Sequence, residues 1–245
     1  MATFILVATI SAVGGFVQAA TGFGFAIICM TLWPMIMPVK YAAVTELMAA
    51  IVMTVGLAIK LRHHIQIKLL IVPFLSALLT GAVGVFFLVT SYEALVRRLF
   101  GFALILISIT LIKRNTRRTN YDQTVAHPQI LGFVSGIMSG LLGGLFNIGG
   151  PPIVGYFNAV TKDKMSYNAT LQAYFILNTL SILLVHFLMG NVTFQSVQYV
   201  PSALLGVVAG TYLGYQIFQR ISWKTMNVFI YVFMLVFGGI LMINP

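Results

Sequence analysis

The second half of the chain repeats the first at a fixed offset of 126 residues. Gly14, Gly24, Ile27, Tyr41 and Ala43 reappear as Gly140, Gly150, Ile153, Tyr167 and Ala169. The run Ser-Ala-Leu-Leu at 76–79 reappears at 202–205, and Gly84 as Gly210. Glu46 falls opposite Gln172, a near-isosteric pair, and no gap is needed between these matches. In a chain this apolar, two-fold internal repetition is a mark of secondary transporters, whose substrate sites lie where the repeats meet.

The residues are 60% hydrophobic and 7% charged, against about 25% charged in a typical soluble domain. Runs such as 71–89 and 229–243 approach the length that crosses lipid, which takes about 20 residues. The reading is one polytopic, all-α membrane domain. A net charge of +10 raises nucleic-acid binding, but the basic residues cluster between apolar segments, as topology signals do. No nucleic-acid partner is expected. The single cysteine, Cys29, excludes an internal disulfide and reads as packing. The first apolar stretch has no basic region before it and does not read as a cleaved signal.

Six segments read as full spans: 41–59, 69–89, 99–112, 166–188, 198–217 and 225–243. Two others, 3–31 and 129–160, fit badly. As one straight helix each would run about 45 Å, against an apolar layer of about 30 Å. Each carries a polar, glycine-rich interruption, Gln18-Ala-Ala-Thr-Gly-Phe-Gly24 and Gly143-Gly-Leu-Phe-Asn-Ile-Gly-Gly-Pro-Pro152. Either each is a broken helix that crosses, or each is a re-entrant hairpin that returns to its own side.

The basic residues discriminate. If both segments cross, seven Lys and Arg fall on each side, which carries no orientation signal. If both are hairpins, eleven gather on one side and only Lys40, Arg97 and Arg98 remain on the other, which obeys the positive-inside rule. Hairpins are therefore expected, with arms of about 13 residues, or about 20 Å. Each half becomes a hairpin plus three transmembrane helices, and an odd number of crossings inverts the second repeat. The expected division is a first repeat over 1–112, a cytoplasmic linker over 113–128 and a second, inverted repeat over 129–245. Both termini are expected outside the cytoplasm, in a multi-pass protein of the cell membrane. The basic linker would touch anionic lipid.

Irregular backbone at membrane depth must be buried in protein or line a wet cavity. Both tips are thus expected at the repeat interface, near the bilayer midplane. Past each break a helical arm restarts, near Gly24 and near Pro151, and proline costs nothing in a first turn. Helix N-termini with closely approaching glycines favour anions. Gln18, Thr21 and Asn147 would add neutral donors. No Lys or Arg falls mid-span, so a bound anion would be held by dipoles and amides. The alternative is that the glycines only permit close helix packing.

Glu46 is the one acid inside a span, a candidate for carrying a coupling proton or else a carboxylate near the interface, hydrated or paired with Lys40. Asn168, Gln172 and Thr179 share a helical face, and Asn178 lies deeper; Gln172 and Asn178 are candidates for lining a cavity. His63 and His64 read as solvated and His186 as interfacial. Tyr41, Tyr156, Tyr167 and Tyr174 read as aromatic anchors. No metal-ligand spacing and no cofactor motif is present.

The run Gly15-Phe-Val-Gln-Ala-Ala-Thr-Gly-Phe-Gly24 followed by a span resembles the first signature of the sulfite exporter TauE/SafE family, also called the toluene sulfonate uptake permease family. Gly140-Leu-Leu-Gly-Gly-Leu-Phe-Asn-Ile-Gly-Gly-Pro-Pro152 resembles its second signature. The resemblance implies a permease for sulfur-containing anions such as sulfite, thiosulfate, sulfoacetate or other sulfonates. Carried over by motif, Gln18, Thr21, Gly22, Gly24, Asn147, Gly149 and Gly150 would be substrate-site residues. Phe23 and Ile148 lie within the same tips, and Gln172 and Asn178 join them from the later span. The first signature has Phe25 and Ala26 where the second has Pro151 and Pro152, so its helix start is less defined.

The expected function is secondary transport of a small sulfur-containing anion by alternating access, coupled to a proton or Na+ gradient. The rivals are a transporter or channel for another small organic anion, a structural protein, and a membrane-embedded enzyme. Four scattered acids and four scattered histidines do not supply a catalytic cluster, so no enzyme is expected. Nothing in the chain distinguishes a monomer from a homodimer.

Overall fold

In a computed structural model of the chain, the described residues are 1–21, 24–116, 127–218 and 223–243. They are helical almost throughout, with no strand among them. In chain order the helices are α1 (Ala2–Thr21), α2 (Phe25–Leu32), α3 (Val39–Leu61), α4 (Ile67–Thr90), α5 (Glu93–Thr116), α6 (Pro128–Phe146), α7 (Gly150–Val160), α8 (Lys164–Leu188), α9 (Phe194–Val197), α10 (Val200–Phe218) and α11 (Trp223–Ile243). Of the linker, residues 117–126 lie outside the described residues. Shifting α1 to α5 by the repeat offset lands them on α6, α7, α8, α10 and α11 in order. Shifted α4 covers 193–216, so the four-residue α9 and α10 together are its counterpart, with a break between them that periodicity did not foretell. The third expected span, 99–112, is extended at both ends into α5.

Two helices, α4 and α6, turn mainly small residues inward and large apolar residues outward. Helix α4 buries Pro73, Ser76, Ala77, Gly81 and Gly84 and exposes Ile71, Leu75, Leu79, Val83 and Phe86. Helix α6 buries Gly132, Ser135, Gly136, Ser139, Gly140, Gly143 and Gly144 and exposes Ile130, Phe133, Val134 and Met138. Small residues inside and large apolar residues outside is the arrangement lipid selects, because contact there comes from close backbone approach rather than from hiding apolar area. Among the described residues five helices are long and apolar enough to cross a membrane, α1, α3, α4, α6 and α8.

The chain forms two compact units, and each mixes both halves of the repeat. The first comprises 1–46, 90–119 and 193–245, the second 47–89 and 120–192. In the first unit α1 lies along α10. A Cβ on Gly206 would collide with the Ala8 carbonyl oxygen, and one on Gly210 with that of Ala12. Helix α5 lies along α11, where Ser108 donates to the Tyr231 carbonyl at 2.8 Å. In the second unit the repeat mates pair likewise: a Cβ on Gly140 would collide with the Ala77 oxygen, and one on Gly144 with that of Gly81. Thr80 Oγ1 also donates to the Ile137 carbonyl at 3.0 Å.

Both doubtful segments fold back on themselves. In the first unit the space beside Gly14 on α1 is filled by Phe25 and Cys29 of α2. In the second, the space beside Gly132, near the start of α6, is filled by the Tyr156 ring of α7. Residues on either side of each break thus lie side by side and antiparallel, which a broken helix running straight on would not allow. The arms differ from the expected equal lengths. α1 has 20 residues and α6 has 19, about 30 Å. α2 has 8 and α7 has 11, about 12 and 17 Å. Both breaks fall late in their segments, where Gly24 and Asn147 adopt positive φ. In each hairpin the first arm is thus about twice as long as the second.

Each unit gathers its chain ends. In the first, the Phe4 and Tyr199 rings lie 5.0 Å apart, the Val39 N–H donates to Glu93 Oε1 at 3.3 Å and Thr45 Oγ1 donates to the Ser196 carbonyl at 2.6 Å. The starts of α1 and α3 therefore share one end of that unit. In the second, the Gln66 N–H donates to Thr170 Oγ1 at 3.0 Å and Tyr156 Oη donates to the Leu69 carbonyl at 3.2 Å. The loops at 62–66 and 161–163 therefore share one end. Asp163 caps α8 there by accepting from Met165 and Ser166 N–H. Those bonds, the Ser166 N–H first, hold its carboxyl below the usual range.

Two predictions follow from this packing. Gly210→Ala should overpack α10 on α1 and cost about 1–3 kcal/mol. Gly56→Ala on α3, where a Cβ meets nothing within 4 Å, should be neutral or gain up to about 1 kcal/mol; thermal midpoints in detergent check both. Asp163→Ala should lower the midpoint at pH 7. Because the folded carboxyl titrates low, its contribution is present at neutral pH and lost as pH falls through the acid range, so the deficit should shrink towards pH 3.

Candidate functional site

The first tip belongs to the first unit. α1 ends at Thr21 and α2 opens at Phe25, with Gly24 between them at φ 121°, a conformation that L side chains rarely adopt. No side chain follows from Gly24, so the Phe25 N–H, one of the first-turn donors left over by any helix, is reached from α1. Gln18 Oε1 accepts it at 2.9 Å. Gln18 is 6% exposed, so this bond closes the hairpin without water. The expectation of Gln18 as a donor is therefore revised: its oxygen is committed to α2, and only the NH2 end remains for a ligand. Gly22 and Phe23 lie outside the described residues, as does the side chain of Thr21. Behind the tip, Phe25 meets Trp33 edge-on at 6.4 Å. The indole Nε1 of Trp33 is a buried donor with no acceptor among the described residues, and sequence reasoning missed it.

Glu46, on α3 of the same unit, is 2% exposed and within electrostatic reach of the Cys29 thiol on α2. Glu46 is therefore buried within the protein rather than on its surface. Lys40 lies over its neighbour Tyr41, 5.3 Å from the ring centre. Cys29 is fully buried packing, as expected.

The second tip belongs to the second unit. α6 stops because Asn147 takes the left-handed conformation at φ 59°, which asparagine tolerates better than other non-glycine residues. The Asn147 N–H then reaches the Gly143 carbonyl at 2.8 Å and the Ile148 N–H that of Leu142 at 3.2 Å, so late carbonyls of α6 are satisfied. Ile148 and Gly149 are buried and Gly150 is half-buried. Pro151 and Pro152 fix the first turn of α7 but remove two of its four unpaired N–H groups. The anion-binding capacity of this helix end thus narrows to the N–H groups of Gly149 and Gly150 and the positive end of the helix dipole.

Helix α8 flanks the second tip. Tyr174, Asn178 and Ile182 recur every four residues and so share a stripe. Asn178 Nδ2 and Ile182 Cδ1 border the space a Cβ on Gly143 would occupy, at 3.1 and 3.0 Å. Asn178 is 6% and Gln172 2% exposed. Asn178 Oδ1 and Gln172 Oε1 have no hydrogen-bond partner among the described residues, and a buried orphan amide of this kind is costly unless something else meets it. The six-residue interval puts them on different faces of α8. Asn178 lies beside Gly143 at the tip, Gln172 faces another side of α8, and Asn168 and Thr179 are only half-buried.

Two expectations fail on burial. His186 is 0% exposed, not interfacial, because it lies on the covered side of the last turn of α8, while Phe187 and Leu188 of that turn are exposed. Tyr156 and Tyr174 are buried hydrogen-bond donors rather than interfacial anchors. His63 and His64 are exposed, as expected. Among the described residues no cluster of His, Cys, Asp and Glu is placed to hold a metal ion.

Long apolar helices, several of them long enough to cross a membrane, define a multi-pass membrane protein. Residues 7–241 match the family Sulfite exporter TauE/SafE, and the chain belongs to that family. No curated protein and no solved structure matches the chain.

Gln18→Met keeps the volume of the side chain but leaves the buried Phe25 N–H without its acceptor. It should lower stability by about 1–3 kcal/mol, read as a lower thermal midpoint in detergent.

Proposed function

We propose that the protein is a secondary transporter of small sulfur-containing anions, such as sulfonates, sulfoacetate, sulfite or thiosulfate, working by alternating access at the cell membrane. Membership of a sulfite exporter family supports the substrate class. The observation that carries the reading is the pair of glycine-rich helix breaks at equivalent repeat positions, with no Lys or Arg in 14–33 or 132–160. In this reading backbone N–H groups and neutral amides replace the water of the anion. No fixed cation holds it so tightly that release fails. Gln18, Thr21, Gly22, Phe23 and Gly24 contribute from the first tip. Asn147, Ile148, Gly149 and Gly150 contribute from the second, and Gln172 and Asn178 from α8. We place both tips at one substrate near the bilayer midplane on the strength of the repeat register.

The repeats are proposed to be inverted, because three crossings, an odd number, separate two hairpins that each fold back. The gathering of Arg62, Lys68 and Lys162 at one end of the second unit supports the eleven-to-three division of basic residues, with both termini outside the cytoplasm. A proton or Na+ is the coupling ion, with Glu46 the candidate proton carrier. Its repeat mate Gln172 cannot titrate, so such coupling is one-sided.

Purified protein should be stabilised by one or a few of these anions and not by carboxylates of the same size. Proteoliposomes should take up the stabilising anion saturably and show counterflow. Uptake that never saturates would indicate a channel, and selective stabilisation by a carboxylate would indicate another organic anion as substrate. Glu46→Gln should abolish stimulation by a proton gradient while leaving counterflow in place. Retained proton-linked uptake would remove Glu46 from the mechanism.

A further inference from the structure

The second tip is held by a buried relay of hydroxyl groups. Ser139 on α6 donates to the Gly149 carbonyl at 2.6 Å, and Tyr174 on α8 bonds Ser139 Oγ at 2.8 Å. Ser139 and Tyr174 are both 0% exposed. The direction of the relay is fixed by proton count. A carbonyl only accepts, so the single Ser139 proton is spent on Gly149, and Tyr174 must donate to Ser139. Gly149 is cut to fit: a Cβ there would lie 2.6 Å from the Ser139 carbonyl oxygen and 2.9 Å from its Oγ.

The consequence lies in the next atom of the chain. A trans peptide holds its C=O and N–H in opposite directions, and no peptide bond among the described residues is cis. With the Gly149 oxygen turned in towards α6, the Gly150 N–H of the same peptide is turned away from α6. Because Pro151 and Pro152 carry no N–H, that group is one of the two first-turn donors α7 retains. One turn further along the same stripe of α8, the Asn178 Nδ2 donor borders Gly143, while its buried Oδ1 has no hydrogen-bond partner among the described residues. Helix α8 therefore addresses the tip twice, through the relay at Tyr174 and through the amide of Asn178.

We propose that Tyr174 and Ser139 are positioning residues for anion binding: the relay locks the Gly149–Gly150 peptide so that the Gly150 N–H faces the substrate. The inference rests on the transporter reading above and adds to it two residues that touch no substrate themselves. Loss of the relay frees the peptide to rotate and withdraws a donor from the anion, so binding weakens while the rate of the conformational cycle is largely kept.

The test is saturable uptake of sulfite, thiosulfate and a short alkyl sulfonate by proteoliposomes of the full chain, comparing wild type, Tyr174→Phe, Ser139→Ala and the double variant. Ser139→Ala should raise KM about tenfold and Tyr174→Phe less, in line with the loss of one buried hydrogen bond, with maximal rates within about twofold. The double variant should match Ser139→Ala, since Tyr174 acts only through Ser139. Tyr174→Phe keeps the ring and decides the matter alone if Ser139→Ala does not fold. An unchanged KM in Tyr174→Phe, or losses confined to maximal rate, would overturn the relay while leaving the transporter reading intact. Absence of saturable uptake of all three anions by the wild-type protein would instead overturn that reading, and the relay with it.

Discussion

A helix that breaks inside lipid exposes N–H and C=O groups that nothing in the apolar layer can satisfy, at several kcal/mol each. Everything else in this chain depends on how its two breaks are covered. At the first, Gln18 reaches across to the Phe25 N–H. At the second, Asn147 and Ile148 N–H groups turn back onto α6 and Ser139 takes the Gly149 carbonyl. The glycines of α4, α6 and α10 let the neighbouring backbones close on these hairpins with no side chain between them. The same residues that make the interior small therefore make the breaks tolerable.

That solution leaves polar groups over in each unit. Among the described residues they include the Trp33 indole N–H in the first unit and the side-chain oxygens of Gln172 and Asn178 in the second, none of which has a hydrogen-bond partner there. All are neutral. Under the proposed reading, such a site trades strength for reversibility, since an anion leaving it reforms its water shell without leaving a bare cation behind. Glu46 is a deeply buried carboxylate in the first unit, and under the same proposed reading it is the candidate proton carrier.

Much of the fold was legible in the sequence because membranes simplify the rules. Apolar length marked α3, α4, α8, α10 and α11. Glycine and proline marked the breaks, and charge asymmetry favoured hairpins over crossings. The unequal arms were not legible, since the break positions depend on the positive φ of Gly24 and Asn147, which composition does not locate to the residue. The commitment of the Gln18 oxygen was hidden because a glutamine offers both a donor and an acceptor, and only the bond to Phe25 chooses. Tyr174 and Ser139 were missed for a related reason. A tyrosine in a span reads as an anchor until its stripe is seen to face a glycine-rich helix. His186 misled because closeness to a helix end was taken for closeness to water.

The central claim is that both breaks turn the chain back rather than pass it on. Single cysteines placed in a Cys29→Ala background at Ala2, Lys40, His127 and Lys162, and labelled with a membrane-impermeant maleimide in oriented vesicles, test it directly. The account predicts that Ala2→Cys and Lys40→Cys react from one side, and that His127→Cys and Lys162→Cys both react from the other. Labelling of Ala2→Cys and Lys40→Cys from opposite sides would contradict it.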